Sequence, residues 1–385
     1  MSPLLAPLPA SPVEIGTIEV FVLRAPIETP VRTSFGVMRD RPAVFVRVED
    51  VDGVVGWGEI WCNFPACGAE HRARLVDSVL APRLAGGKFD SPMDVFRHLS
   101  QHTAVLAIQS GEAGPFAQAI AGIDIALWDL CARRARQPLW RYLSGQCGKT
   151  RVYASGISPD DCVEMAIRKQ SEGYRAFKLK VGFGEQRDLR NVQAMRVALG
   201  SSAALMVDAN QGWDLDTASR MASRLEPFGL QWLEEPLRAD SAWDAWLELA
   251  RTTRVPLAAG ENIVGECAFT AAMDSGALSV VQPDIAKWGG ISGNWAVVDR
   301  IGQAGLRYYP HYLGGGIGLL ASGHLLAASG GEGALEIDSN ANPLRTRLSL
   351  ALNTIDEGWA DLGDKPGLGV TPNLTELCEV ARRTH

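Results

Sequence analysis

The sequence predicts an α/β protein built on a closed (β/α) barrel of eight units, preceded by an α+β domain. Three observations carry that expectation. After Lys149, eight short apolar runs recur, each followed by an amphipathic stretch. A polar or charged residue stands at the C-terminal end of run after run, one unit apart. An open doubly wound sheet would place a Gly-rich fingerprint after its first strand, and Tyr153-Ala-Ser-Gly-Ile has none. Short buried strands alternating with helices indicate a parallel sheet, and eight of them indicate closure.

In chain order, Val13 to Arg24 and Ala43 to Glu49 read as strands, and Asp52-Gly53 reads as a hairpin turn into Val54 to Ile60. Helical spacing follows over His71 to Leu84, Met93 to Leu99 and Phe116 to Leu143, the last stopping at Ser144-Gly145. A three-stranded sheet with helices behind it makes residues 1–148 an α+β domain. The barrel occupies 149–347. Its strands are Val152–Gly156, Ala176–Val181, Ala204–Val207, Leu230–Leu233, Val255–Ala259, Leu278–Val281, Leu306–Tyr309 and Ala334–Ile337. Residues 348–385 carry weak periodicity and Pro366-Gly-Leu-Gly. Having no place among the eight units, they are expected to return and complete the N-terminal domain.

Composition narrows the function. The 385 residues are 46% hydrophobic and 21% charged, with a net charge of −7. Without a basic block there is no electrostatic footprint for nucleic acid. No apolar run reaches the roughly 18 residues that span a bilayer, so no membrane partner is expected. The opening MSPLLAPLPASP lacks a basic region and carries prolines, and reads as a loose tail rather than a signal peptide. Seven cysteines (62, 67, 131, 147, 162, 267, 378) are an odd number without paired metal-ligand spacing, and Cys62 and Cys67 are too isolated for half a zinc site. Reduced thiols in a cytoplasmic protein are the expectation.

The chemistry lies at the strand ends, where barrel enzymes keep their active sites. They are Lys178-Leu-Lys180, Asp208-Ala-Asn210, Glu234-Glu235-Pro236, Gly260-Glu261-Asn262, Asp284, His311 and Glu336. From Lys180 the steps are 28, 26, 27, 23, 27 and 25 residues, which sets them around one ring. Asp208, Glu234 and Glu261 on neighbouring strands would repel each other unless a cation lay between them. All-oxygen donors select a hard ion, and three carboxylates leaving room for water and substrate suit Mg²⁺. The bland alternative makes each acid a helix N-cap, which three in register disfavour. Lys178 and Lys180 project to one face, since i and i+2 do so in a strand. Each should lower the other's pKa and leave one amine as a base. Their apolar flanks argue against exposed, snorkelling lysines. His311 stands one unit after Asp284, which would fix its tautomer and leave the other nitrogen for proton transfer. Lys180 and His311 then flank the metal from opposite sides, a geometry for two proton transfers on opposite faces of one carbon.

These motifs, with Pro-Asp-x-x-Lys-x-Gly-Gly and a His before a Gly-rich helix start, resemble the enolase superfamily and, within it, the mandelate racemase subgroup. The likeness covers nearly the whole chain. It implies a TIM-type barrel of modified (β/α)7β form, with the N-terminal domain as its cap. It also implies Asp208, Glu234 and Glu261 as Mg²⁺ ligands, Lys180 as one base, and His311 with Asp284 as the opposing dyad. Glu336 matches the acid that bonds the substrate carboxylate, and Lys178 the lysine that touches it. The muconate-lactonizing subgroup, which would carry Lys at the place of Asp284, is disfavoured.

The implied reaction is abstraction of the proton α to a carboxylate, with Mg²⁺, Lys178 and Glu336 stabilising the enediolate. Collapse leads to dehydration of an acid sugar or hydroxy acid, the leading expectation, or to racemisation of an α-hydroxy or amino acid. Small-molecule carboxylates are the expected partners, Asn210, Trp61 and Phe64 join the substrate contacts, and the resemblance implies an even-numbered homo-oligomer. The cap loops Thr29 to Arg41 and Ile60 to His71 bring Phe35, Met38, Trp61 and Phe64, with Arg32, Arg39, Arg41 and Asn63 as polar members. Trp288, Tyr308 and Tyr312 add aromatic area, unless they merely pack the domains together. Gly314 to Gly318 would suit a phosphate cradle or close backbone packing. A catalytically dead barrel relic would have lost some of these acid, base or ligand positions, and none is lost.

Overall fold

The computed structural model describes residues 5–33 and 36–385; Phe35 lies outside them. Strands β1 (Val13–Arg32), β2 (Val37–Asp50) and β3 (Val55–Ile60) form an antiparallel meander. The β1–β2 ribbon runs beyond the expected ends, to the pair Arg32↔Val37, with a register break between Pro26 and Val31. The sheet is apolar on both faces because it serves two cores. Val20, Val22, Val44 and Val46 pack under the domain's own helices, while the alternating Phe21, Leu23, Ala43 and Phe45 join the core that includes the barrel. Strand β4 (Lys88–Phe89) pairs with the start of β1.

The first expected helix runs Gly68–Leu75 and continues through a π-helical turn to Leu84. The second runs on to Ser110, capped at its start by Ser91 and stopped by left-handed Gly111. The third divides into Ala113–Arg134 and Leu139–Tyr142, because Arg136 takes a positive φ and Pro138 cannot continue a helix. Among the described residues Ala113–Arg134 is the one helix long and apolar enough to cross a membrane by length and composition, and 89% of its 18-residue apolar window is buried in the fold, as in a core helix. It sits directly on β3. A Cβ at Gly58 would fall 1.9 Å from the Gly122 carbonyl, so only glycine permits that approach.

The eight barrel strands appear in the expected order: β5 (Lys149–Ile157), β6 (Ala176–Lys180), β7 (Ala204–Asp208), β8 (Leu233–Glu234), β9 (Leu257–Ala259), β10 (Val280–Val281), β11 (Arg307–Tyr308) and β12 (Ala334–Asp338). Parallel ladders connect them from β11 back through β5 to β12. At the remaining seam β11 and β12 meet closely, since a Cβ at Gly333 would lie 1.9 Å from the Tyr308 carbonyl. The C-terminal segment does not serve the cap alone. Strand β13 (Trp359–Asp361) first pairs antiparallel with Lys149–Arg151 of β5, an edge that β6 leaves free. Only then does β14 (Arg382–Arg383) pair with Leu23 and Arg24 of β1. Residues 5–12 are not loose: Leu5 N donates to Asp299, and Trp295 Nε1 donates to the Ala6 carbonyl. All seven cysteines are free thiols.

Candidate active site

The parallel register assembles the site. Lys180 pairs with Asp208, and Asp208 with Glu234, so β6, β7 and β8 present them at one level. Glu261 follows β9 by two residues, after Gly260 at φ +155, where a Cβ would strike the Gln282 backbone at 2.5 Å. Asp284 and His311 form a parallel bridge, which fixes them side by side. Glu336 lies on β12 opposite Tyr153.

Each group has a partner. His311 Nδ1 lies 2.7 Å from Asp284 Oδ2, while its Nε2 is 2.8 Å from Glu261 and 3.9 Å from Glu336. Lys178 Nζ bonds Glu234, lies 2.8 Å from Glu336 and 4.0 Å from Asp208. Lys180 Nζ donates to Asp208. Asn210 turns back, with its backbone N–H 2.8 Å and its amide 3.2 Å from the Asp208 carboxylate. Glu336 accepts from the Ser155 hydroxyl and, at 3.1 Å, from Tyr312 N–H. Trp61 comes from the cap and is flanked by the Lys287 ammonium at 4.8 Å and the Arg72 guanidinium at 5.5 Å. Trp61, Phe64, Lys180, Asn210, Glu261 and His311 border one cavity of about 170 Å³. A larger hollow, about 520 Å³, lies by the N-terminal ends of β5 and β12 and touches none of these groups.

The lysine pair behaves differently from the sequence expectation. Burial and Lys178 work against the Lys180 ammonium, yet Asp208, Glu261 and Glu234 outweigh them and hold its pKa above the ordinary value. Lys178 is likewise held well above, burial being overcome by Glu234 and Glu336. Carboxylates outnumber ammoniums, so mutual lysine repulsion does not decide the balance. His311 is also raised well above its usual value, since Glu261, Glu336 and Asp284 overcome its burial.

Strand alternation would point Glu235 away from Glu234's side. Its φ of +39 turns it instead, so its carboxylate accepts from Asn262 Nδ2 at 2.8 Å, and the same amide lies 3.1 Å from Glu261. Lys287 Nζ reaches Glu261 at 2.9 Å and Asn262 at 3.1 Å. Sequence reasoning gave roles to neither Glu235 nor Lys287. Lys287 had a signal, standing three residues after Asp284 within the Pro-Asp-x-x-Lys motif, whereas the backbone turn at Glu235 had none.

Other cap assignments also change. Arg41 is buried on Asp338 at 2.8 Å, away from the cavity lining. Trp288 packs edge-on to Phe96 and against Phe269, and Tyr312 is buried. The glycine run cradles an anion, but the anion is the chain's own. Glu59 of β3 accepts from Gly315 N–H and, at 2.9 Å, from Gly318 N–H.

Among the described residues no three His, Cys, Asp or Glu side chains close on one point as a ready metal cage. Asp208, Glu234 and Glu261 each lean on a cationic side chain. The donor chemistry nevertheless fits a hard dication. Among the described residues, six buried carboxylates (Asp208, Glu234, Glu235, Glu261, Asp284, Glu336) stand against four cationic partners, Lys178, Lys180, Lys287 and His311. Glu234 registers the surplus, its carboxyl pushed up to about 7 by burial and by Asp208 and Glu336, against Lys178. Asp208, Glu234 and Glu261 are the residues that would hold such an ion.

The chain is similar to a mandelate racemase/muconate lactonizing enzyme of Bordetella bronchiseptica RB50, solved as a crystal structure, at 56% identity and TM-score 0.92, over 96% of this chain and 100% of that one. It is 31% identical to D-galactarolactone cycloisomerase of Agrobacterium fabrum, over 95% of this chain and 98% of that enzyme. It is 36% identical to L-talarate/galactarate dehydratase of Salmonella typhimurium, over 71% and 66%. Residues 17–144 match the mandelate racemase/muconate lactonizing enzyme N-terminal domain, and residues 161–376 match the enolase C-terminal domain-like family. Barrel and cap agree with both matches, and the chain belongs to the enolase superfamily, in its mandelate racemase subgroup.

Proposed function

We propose that this enzyme removes the proton α to a carboxylate and dehydrates an acid sugar or related hydroxy acid. The observation that carries the reading is that Lys180 and His311 border one cavity from strands on opposing sides of the ring. Loss of the α-proton adds a second negative charge to the substrate, so both the proton and the charge need a place. Lys180 takes the proton on one face as a neutral amine, a state it reaches when Asp208, which holds its ammonium in this structure, turns to a cation instead. On the other face Asp284 engages His311 Nδ1, leaving Nε2 to deliver a proton to the departing β-hydroxyl. Lys178, bonded to Glu336, meets the substrate carboxylate, and Glu336 hydrogen-bonds it as the protonated acid, a proton that substrate binding must bring to it. Trp61 and Phe64 of the cap exclude water. Asp208, Glu234 and Glu261 would hold Mg²⁺, which would supply Lewis-acid stabilisation of the developing charge. The dehydratase relative supports this outcome.

A second reading, racemisation of a smaller acid, has its own support. Trp61, Phe64 and Leu313 line the cavity, and three of its side-chain amides are already engaged as donors, Asn210 on Asp208 among them. Asn63 donates to the Leu313 carbonyl at 2.6 Å, and Asn262 donates to Glu235. Few donors remain for a polyol chain. Incubation with acid sugars and with α-hydroxy or amino acids in D₂O and Mg²⁺, followed by NMR, separates the outcomes. A keto acid reports dehydration, and α-deuterated product of inverted configuration reports racemisation. Absence of both turnover and α-exchange across the two libraries would overturn proton abstraction.

A further inference from the structure

One oxygen of Glu234 is already committed. Trp232 Nε1 donates to Glu234 Oε2 at 2.9 Å, and Gln282 Nε2 donates to the same oxygen at 2.6 Å. All three side chains are buried. Trp232 stands two residues before Glu234 and so projects from the same face of the chain. Gln282 arrives from β10's end, two residues before Asp284, and its backbone is the one against which Gly260 packs. The two donors thus come from either side of the strand that leads to Glu261.

We infer that Trp232 and Gln282 act as a positioning pair that makes Glu234 a one-oxygen ligand and thereby favours Mg²⁺ over Ca²⁺. The inference rests on the metal reading proposed above. A carboxylate oxygen has two lone-pair directions in its plane, and two N–H donors occupy both on Oε2. Only Oε1, on the Lys178 side, keeps capacity for a cation. Mg²⁺ requires compact octahedral coordination and is served by single oxygens, whereas Ca²⁺ takes more ligands and uses bidentate carboxylates readily. Fixing Oε2 therefore denies Ca²⁺ the chelating mode without cost to Mg²⁺. The two N–H groups also pin the carboxylate rotamer, as hydrogen-bond partners of metal ligands do.

Gln282 separates this role from a structural one. Its Oε1 is buried without a hydrogen-bond partner, so an apolar isostere removes an unsatisfied acceptor along with the donor. The test is calorimetric titration of metal-free protein with Mg²⁺ and separately with Ca²⁺, for wild type, Gln282→Met and Trp232→Phe, with melting curves in EDTA. Mg²⁺ affinity is expected to fall about tenfold or more in each variant. Ca²⁺ affinity should fall less, so the preference narrows, while the melting temperature of Gln282→Met stays close to wild type. If Trp232→Phe folds poorly, Gln282→Met alone decides. A wild type that binds Mg²⁺, with a Gln282→Met variant of unchanged affinity and preference, overturns the pair's role and leaves the metal reading standing. A wild type that binds neither ion overturns the metal reading and this inference together.

Discussion

Glu59 offers the sharpest stability test, because its whole environment is internal. Its side chain is buried at the end of β3 and accepts from Gly315 N–H, Gly318 N–H and the Tyr312 hydroxyl, so one carboxylate ties the cap to the loop that follows His311. In Glu59→Ala three buried donors lose their acceptor. At roughly 1–3 kcal/mol for each stranded group, with partial relief from entering water, the loss is about 3–6 kcal/mol. At pH 5 Glu59 is held as the neutral acid, so Glu59→Gln keeps the shape and the carbonyl acceptor and puts an NH₂ only where an OH stood, one that could still accept. With one donor stranded, about 1–3 kcal/mol is expected.

The pH dependence gives a second handle. Burial pushes the Glu59 carboxyl from 4.5 up to about 7, against the lowering effect of its hydrogen bonds. Between those values the unfolded chain releases the proton while the native state keeps it. The native state therefore binds more protons, and the Glu59 contribution to stability falls as pH rises from about 4.5 to 7, by about 3 kcal/mol in all. The glutamine variant lacks that slope, so its deficit relative to wild type should shrink between pH 5 and pH 8. Urea denaturation followed by tryptophan fluorescence at both pH values measures this. A Glu59→Ala midpoint equal to wild type, or a glutamine deficit that ignores pH, would refute the reasoning.

Further outcomes concern the chemistry. His311→Asn should stop turnover, by a factor of at least 10² to 10⁴, yet leave Lys180 able to exchange deuterium into one α-configuration. Lys180→Ala should show the opposite configuration, and both variants exchanging the same enantiomer would defeat the two-face arrangement. Asp284→Asn keeps the imidazole and loses its anionic partner, so a drop of roughly 10–100-fold in kcat is expected, with a shifted pH–rate profile as the readout. Treatment with EDTA should abolish turnover and Mg²⁺ should restore it, as measured by keto-acid formation or α-exchange. Glu234→Gln should weaken Mg²⁺ binding more than Glu235→Gln. The second should still have a measurable effect in calorimetry, because Glu235 shares the Asn262 amide with Glu261.

The sequence by itself determined the barrel and the order of its polar residues around the ring. Strands buried on both sides must be short apolar runs, and a barrel site must sit where those runs end, so both signals are local and repeat one unit apart. Local pattern also placed Asp284 and His311 on neighbouring strands, and the bridge between them follows from that spacing. Tertiary structure decided what depended on partners distant in the chain. The Gly314–Gly318 run reads as an anion cradle, but that its anion is Glu59, more than 250 residues away, is set by how β3 docks on the barrel. Two strands of the final segment divide between barrel and cap because Lys149–Arg151 and the middle of β1 each leave an edge open, which no periodicity in the tail announces. Glu235 faces Glu261 only because its φ is positive, a turn that breaks the two-residue alternation on which strand reasoning relies. The lysine charges were misjudged from the sequence for the same reason: spacing shows that Lys178 and Lys180 are neighbours, whereas the carboxylates that outweigh their repulsion arrive from four other strand ends and are counted only once the ring has closed.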